Sequence, residues 1–386
     1  MQYQRHLSAS LSTHFDKYKQ ALVLLGARQT GKTTLLKQIF PQALYLLADN
    51  EQTLRVLETY DINTYKPIIG RHKQLIIDEL HLLSNPGRAV KIIYDQIPNL
   101  QLIVTGSSAL HIKNKTSESM AGRKIEYQMF PLTFAEYLVQ KGVEQELNHN
   151  ILTNILEGRS AQTRLFNPAQ ILDQVLLYGL YPELLNLSQH QDYLLELADS
   201  AIFKDIVELN LISDRAKAKE LLRLLAYQIG NLINYAEIAS TLSMDRRTVE
   251  RYIDIFEQSY FIFRVYPFAK NKRKEIGKTA KIFFHDLGLR NAIINNFDPS
   301  PLRPDRGAMF ENFIIAELFK HNAYKKAGLH INYWRLKSGA EVDLVLSDHS
   351  DMHAVEIKSK KGQLTSVFTK HYPQAKTHLV TQSNFY

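Results

Sequence analysis

The sequence predicts an α/β protein whose first domain is built on a parallel sheet, and three observations carry that prediction. Residues 21–25, 43–47, 75–77 and 102–104 are near-continuous apolar runs, the pattern of strands buried on both faces. Helical spacing over residues 33–39 and 87–97 falls between those runs, so strands and helices alternate. Between the first run and the first helix lies Gly26-Ala27-Arg28-Gln29-Thr30-Gly31-Lys32-Thr33, which fits G-x-x-x-x-G-K-[ST] at every fixed position.

The 386 residues suit two or three domains. Hydrophobic residues make up 45% and charged residues 22%, so each domain can build a core. No run approaches the roughly 18 uncharged apolar residues of a bilayer crossing, and residues 1–6 open no signal-peptide core. Membrane spanning and secretion are disfavoured. The absence of cysteine excludes disulfides, thiol catalysis and Cys-ligated metal centres, and makes the cytoplasm the default compartment. A net charge of +8 permits a polyanionic partner without requiring one.

The glycine loop has a chemical task. Gly26 and Gly31 let the backbone wrap phosphates, and the N–H groups of Arg28, Gln29, Thr30 and Thr34 and the helix start supply positive charge. Lys32 bridges the terminal phosphates, and the Thr33 hydroxyl ligates Mg²⁺. ATP with Mg²⁺ is therefore the expected ligand. Residues 74–79 form an apolar strand ending in two acids: Asp78 would hold the Mg²⁺ through water, and Glu79 would polarise the attacking water. A third strand ends in Thr105-Gly106-Ser107-Ser108, where Ser107 is placed to sense the terminal phosphate; a plain serine-rich turn is the alternative. Arg123, just before the strand-like residues 124–128, is placed as an arginine finger for a neighbouring subunit, which implies a homo-oligomer; a solvated surface arginine explains it equally.

The first domain is expected over residues 1–140, and a mostly helical lid or connector over 141–225. Residues 235–252 then read as two short helices joined by a tight turn and precede the aromatic strand 260–265. That order suggests a winged helix-turn-helix over 226–298. From Arg264 to Lys281 seven basic residues face one acid, Glu275. Behind Arg246, Arg247 and Arg251 this reads as a surface for phosphate backbones, so DNA is the expected macromolecular partner. A charge run is also commonly a solvated face, and helix-turn-helix units also bind proteins.

The whole chain resembles the prokaryotic family of AAA+-type ATPases whose C-terminal half is a conserved domain of unknown function with a PD-(D/E)xK nuclease-like fold. The resemblance rests on Gly26 to Thr34, Ile76 to Leu80, Thr105 to Ser108, Ala121-Gly122-Arg123, Phe130-Pro131-Leu132-Thr133-Phe134-Ala135-Glu136-Tyr137, Gly179-Leu180-Tyr181-Pro182-Glu183, Phe284 to Leu289 and Gly307 to Asn312. Leu180 stands where a second glycine is usual, and the segment after Lys361 is short. The resemblance implies a nuclease-like α/β domain over 299–386.

Spacing places carboxylates together in that last domain. A two-residue turn at His349-Ser350 pairs 348 with 351 and, continuing, Asp343 with Glu356. Glu356 and Lys358 share a strand face. Asp343 and Glu356 would bind Mg²⁺ while Lys358 orients the water, as metal-dependent phosphodiester hydrolysis requires. An ordinary hairpin with alternating charges has the same pattern. By resemblance, Glu311 on the preceding helix is the further acid of the nuclease fold.

The reading that uses all these features is an ATP-hydrolysing protein acting on or at DNA. The alternative is a nucleotide-gated regulatory or scaffold protein whose C-terminal domains bind protein partners and cut nothing. A simple transcription factor leaves Glu79 and the Asp343, Glu356 and Lys358 set without a task.

Overall fold

A computed structural model describes residues 4–106, 121–147, 151–157, 168–207, 212–269, 279–336, 338–359 and 366–386. Ser107, Ser108 and the basic residues Lys270, Lys272, Arg273, Lys274 and Lys278 lie outside them. The chain divides into two compact units.

The first unit runs to Pro131 and includes Gln258–Tyr260. Its sheet holds β1 (Ala21–Leu25), β2 (Leu44–Leu47), β3 (Gln74–Asp78), β4 (Gln101–Gly106) and β5 (Lys124–Gln128) in the order β2-β3-β4-β1-β5. All four pairings are parallel. Every residue of β1 is buried, which is why the run carries no polar alternation. Around the sheet lie α1 (Leu7–Ser12), α2 (His14–Lys17), α3 (Lys32–Ile39), α4 (Glu51–Leu57), α5 (Ile62–Ile69) and α6 (Pro86–Gln96). Side chains start three of them: Asn50 accepts from the Thr53 N–H, Asp61 from Asn63 and Asn85 from Arg88. The order inserts β4 between the loop-bearing β1 and the acid-bearing β3. With Leu24 opposite Thr105 and Ile77 opposite Val104, the ends of all three strands meet at one edge.

The second unit takes most of the remaining chain, and its first helices are α7 (Phe134–Gln140), α8 (Ile151–Glu157), α9 (Pro168–Tyr178), α10 (His190–Val207) and α11 (Arg215–Tyr227). Thr133 and Glu136 form a reciprocal capping box at the start of α7. A tight turn containing Ser243, at φ +50°, joins α12 (Tyr235–Thr241) to α13 (Arg246–Gln258). Next come the antiparallel strands β6 (Ile262–Pro267) and β7 (Lys281–Phe284), then α14 (Leu287–Ile293) and α15 (Arg306–Lys325). The last elements are β8 (His330–Arg335), β9 (Glu341–Ser347), β10 (Met352–Lys358), α16 (Ser366–His371) and β11 (Lys376–Thr381). One sheet gathers all six strands in the order β11-β10-β9-β8-β6-β7. The strands on either side of residue 298 are therefore hydrogen-bonded neighbours: Tyr266 and Pro267 of β6 pair in parallel with Asn332 and Tyr333 of β8.

Several segments behind the family resemblance are packing devices of this unit. The Glu317 carboxylate on α15 accepts from the Phe134 N–H at 2.8 Å, and Lys320 donates to the Leu132 carbonyl at 3.0 Å. The buried Asp286 accepts from the Leu180 N–H at 2.7 Å and the Leu289 N–H at 3.0 Å. A Cβ on Gly179, which sits at φ +73°, would stand 2.1 Å from Asp286 Oδ1, so only glycine fits there.

Candidate functional site

The edge where β1, β3 and β4 end carries the glycine loop and both acids of residues 78–79. Gly26 leaves β1 so close to Met129 that an added Cβ would lie 2.1 Å from the Met129 carbonyl oxygen. Gln29 at φ +58° and Gly31 at φ +91° turn the loop. Thr30 is buried and its hydroxyl donates to the Ala27 carbonyl at 2.9 Å. Arg28 is half-buried, whereas Gln29 and Thr34 are exposed. Lys32 begins α3, buried, and its Nζ donates to the Gly26 and Ala27 carbonyls at 2.9 and 2.8 Å, folding the ammonium over the loop.

Asp78 ends β3, buried, and is the hub of the site. Its Oδ2 accepts from the Thr33 and Tyr45 hydroxyls, each at 2.5 Å, and its Oδ1 accepts from the Thr105 hydroxyl. Burial alone would push this carboxyl up; the Thr105, Thr33 and Tyr45 donors and the Lys32 charge outweigh it and hold Asp78 below the ordinary carboxylate range. Burial, together with donation to Asp78, pushes the Tyr45 phenol up, so it stays protonated and donating. Glu79 follows in the left-handed region at φ +56°, its N–H held by Asp78 Oδ1 at 3.1 Å and Thr105 Oγ1 at 3.2 Å. A non-glycine residue in that conformation costs energy, and it turns the Glu79 carboxylate away from the strand. There Glu79 Oε2 lies 3.2 Å from Nδ1 of the buried His81.

Three residues of this edge escape motif reading: Tyr45, His81 and Arg5. Thr105, one position before the expected glycine-serine turn, is the β4 residue that touches both acids. Arg123 lies at the opposite edge. It precedes β5, where Ala21 pairs with Lys124, and its Nε donates to Asp95 at 2.9 Å.

The C-terminal carboxylates form a second cluster, in the other unit. Ser347 pairs with Met352 and Leu344 with Val355, and this register, continued by one pair, sets Asp343 opposite Glu356. Lys358 Nζ sits between the two acids, 3.1 Å from Asp343 Oδ2 and 3.1 Å from Glu356 Oε2, and Asp343 Oδ2 also accepts from the Ile357 N–H at 2.8 Å. Burial disfavours the lysine's charge, but the two acids outweigh it and hold Lys358 above its ordinary range. Glu311, on α15, stands close enough to this pair for the Asp343 charge to act on it. It faces Lys281 at 3.4 Å, and Lys281 also meets Glu341 at 2.6 Å. Burial pushes Glu311 up to about 7, with Lys281 opposing and Asp343 and Glu341 adding. Among the described residues no three acids or histidines are arranged to hold a metal ion.

Of the basic segment, Arg264 and Lys281 are the two basic residues among the described residues. Arg264 is bound at its Nη2 by Asp254 at 2.7 Å and accepted by Glu257, while the buried Lys281 is held by Glu311 and Glu341. Both cations are consumed by internal pairs, so neither belongs to a free phosphate-binding surface. Arg247 and Arg251 on α13 remain exposed, whereas Arg246 pairs with Glu250 at 2.9 Å.

Residues 18–138 match the model of an AAA domain, residues 169–300 a domain of unknown function (DUF8612) and residues 306–384 a domain of unknown function (DUF4143). The chain therefore carries an AAA-type P-loop ATPase domain. An uncharacterized protein of Methanocaldococcus jannaschii, MJ1637, is 27% identical over 92% of this chain and 81% of its own length. An uncharacterized protein of Haemophilus influenzae is 22% identical over 87% of this chain and 81% of its own length. Among solved structures, the Walker-type ATPase PABY2304 of Pyrococcus abyssi aligns with a TM-score of 0.48 at 15% identity, over 76% of this chain and 96% of that one. No described helix is long and apolar enough to cross a membrane.

Proposed function

We propose that the chain binds and hydrolyses ATP with Mg²⁺ and couples nucleotide state to work at DNA. The observation that carries the hydrolytic part is the Asp78 hub, which ties the loop hydroxyl of Thr33 to the second acid through Thr105. Thr33 and Asp78 are an all-oxygen donor pair facing the phosphate lysine, which suits a hard divalent cation. Mg²⁺ held there would supply charge neutralisation for the phosphates. Lys32 would exchange the Gly26 and Ala27 carbonyls for phosphate oxygens. Glu79, displaced from the strand direction by its left-handed backbone, would orient the attacking water, with His81 fixing its carboxylate. Arg123 stands one strand length, about 16 Å, from the loop end of β1, too far for its own nucleotide, so it would act on that of a neighbouring copy.

Measured ATP binding and phosphate release test this. Lys32→Ala should abolish both, while Glu79→Gln should retain binding and slow turnover about 100-fold or more, the scale of removing a positioned base. Turnover like that of the wild type in Glu79→Gln would move the water-positioning role elsewhere.

A specific observation favours the scaffold alternative for the C-terminal cluster. Lys358 already lies between Asp343 and Glu356, in the place where a shared metal would neutralise them. On this reading the C-terminal domains bind protein partners and cut nothing.

A further inference from the structure

We infer that Arg5, outside the matched AAA segment of residues 18–138, is a positioning residue that sets the phosphate-binding conformation of the loop. Arg5 is 5% exposed although it lies five residues from the start of the sequence. Its Nη1 donates to the Thr30 carbonyl at 2.9 Å and its Nη2 to the Phe130 carbonyl at 2.6 Å. One guanidinium thus fastens the crown of the loop to the segment that leaves β5.

The reason this matters is the peptide between Thr30 and Gly31. A trans peptide is planar, so its C=O and N–H point in opposite directions. Fixing the Thr30 carbonyl toward Arg5 turns the Gly31 N–H to the other side, where phosphate oxygens approach. Local sterics do not impose that choice. Gly31 sits at φ +91° with no Cβ, and glycine adopts either sign of φ, so the peptide is free to rotate and withdraw its donor. A Cβ built on Gly31 would stand 3.9 Å from Arg5 Nη1, so the guanidinium also packs directly behind the turn. Arg5 supplies through two charge-assisted hydrogen bonds the constraint that the glycine removes.

The inference rests on the nucleotide-site reading, and one experiment separates the two. A fluorescent ATP analogue bound to the full chain is displaced by ATP, by inorganic tripolyphosphate and by adenosine, for the wild type, Arg5→Met and Arg5→Lys. In Arg5→Met the affinities for ATP and tripolyphosphate should fall on the order of tenfold, the equivalent of one oriented donor, while adenosine is unaffected. Arg5→Lys, which keeps the charge and can reach a carbonyl, should recover part of the loss. Wild-type affinity for tripolyphosphate in a folded Arg5→Met, or an equal loss for adenosine, would overturn the inference. A wild type that binds no ATP would instead overturn the nucleotide-site reading. Should Arg5→Met fail to fold, the rise in melting temperature on adding Mg-ATP is compared between Arg5→Lys and the wild type. A smaller rise in the variant supports the role, and an equal rise overturns it.

Discussion

Asp78 shows how one buried charge is held by neutral groups. Three hydroxyls from three different strands or helices converge on it, and their combined donation keeps it ionised where burial would protonate it. Because its folded pKa is depressed, the stability it contributes is present above the ordinary carboxylate value of 3.8 and is lost as pH falls through the lower folded value. Tyr45→Phe removes one donor. In EDTA we expect it to cost about 1 to 3 kcal/mol of unfolding free energy at pH 7 and less at an acid pH below the lowered folded value, where Asp78 is protonated in both proteins. Equal losses at the two pH values would mean that Tyr45 acts by packing alone. The motif residues Gly26, Lys32, Thr33, Asp78 and Glu79 were legible because fixed spacing along the chain encodes them. Tyr45, His81 and Arg5 were not, since their roles come from strand order and from contacts such as Arg5 with Phe130, 125 positions away.

At the scale of elements, local rules were readable and long-range pairing was not. The β9–β10 register follows from counting outward from a two-residue turn, and the structure has it: the Asp348 N–H donates to the Asp351 carbonyl at 3.1 Å, closing the turn. The parallel pairing of β6 with β8 joins residues about 66 apart, and no turn signal announces it. Strand pairing also creates a titratable device unseen in the sequence. On β10 and β11, His353 Nδ1 and His378 Nε2 stand 3.0 Å apart with ring planes inclined by 24°, sharing one proton in a nearly coplanar N–H···N bond. Burial, His353 and Lys376 hold His378 down at about 4, and burial followed by Lys376 lowers His353 against the opposing charges of Asp351 and Asp348. Both bases bind fewer protons folded than unfolded. Their contribution is therefore complete above the ordinary histidine value of 6.5 and is lost as pH falls toward 4. His378→Gln should flatten the fall in stability between pH 6.5 and 4 by on the order of 1 kcal/mol, measured by urea unfolding across that range. An unchanged pH slope would show that the pair is already separated in solution.

For the whole molecule, the two charged clusters belong to different units and solve the same electrostatic problem differently. In the first, Asp78 is ringed by neutral donors, with Lys32 bonded to loop carbonyls, so the acid has no cation of its own within an ion pair. In the second, Asp343 and Glu356 already share Lys358, and like charges at cross-strand spacing are destabilising unless such an offset is present. A site that carries its own cation has less to gain from Mg²⁺. We therefore expect metal to act on the first cluster and not on the second. The assay is supercoiled plasmid incubated with the full chain in Mg²⁺ or Mn²⁺, with and without ATP, scoring binding as a function of salt and nicking together. Exposed Arg247 and Arg251 predict binding that weakens steeply with salt and a shallower dependence once both are changed to alanine. Nicking should be absent throughout. Asp343→Ala should then leave ATP turnover intact and cost only stability, about 1 to 3 kcal/mol, held below the cost of breaking a fully buried pair because Lys358 is 41% exposed and its charge is partly screened. Metal-dependent nicking by the wild type that disappears in Asp343→Ala would reverse the assignment, because Lys358 would then be orienting a nucleophile instead of standing in for the metal.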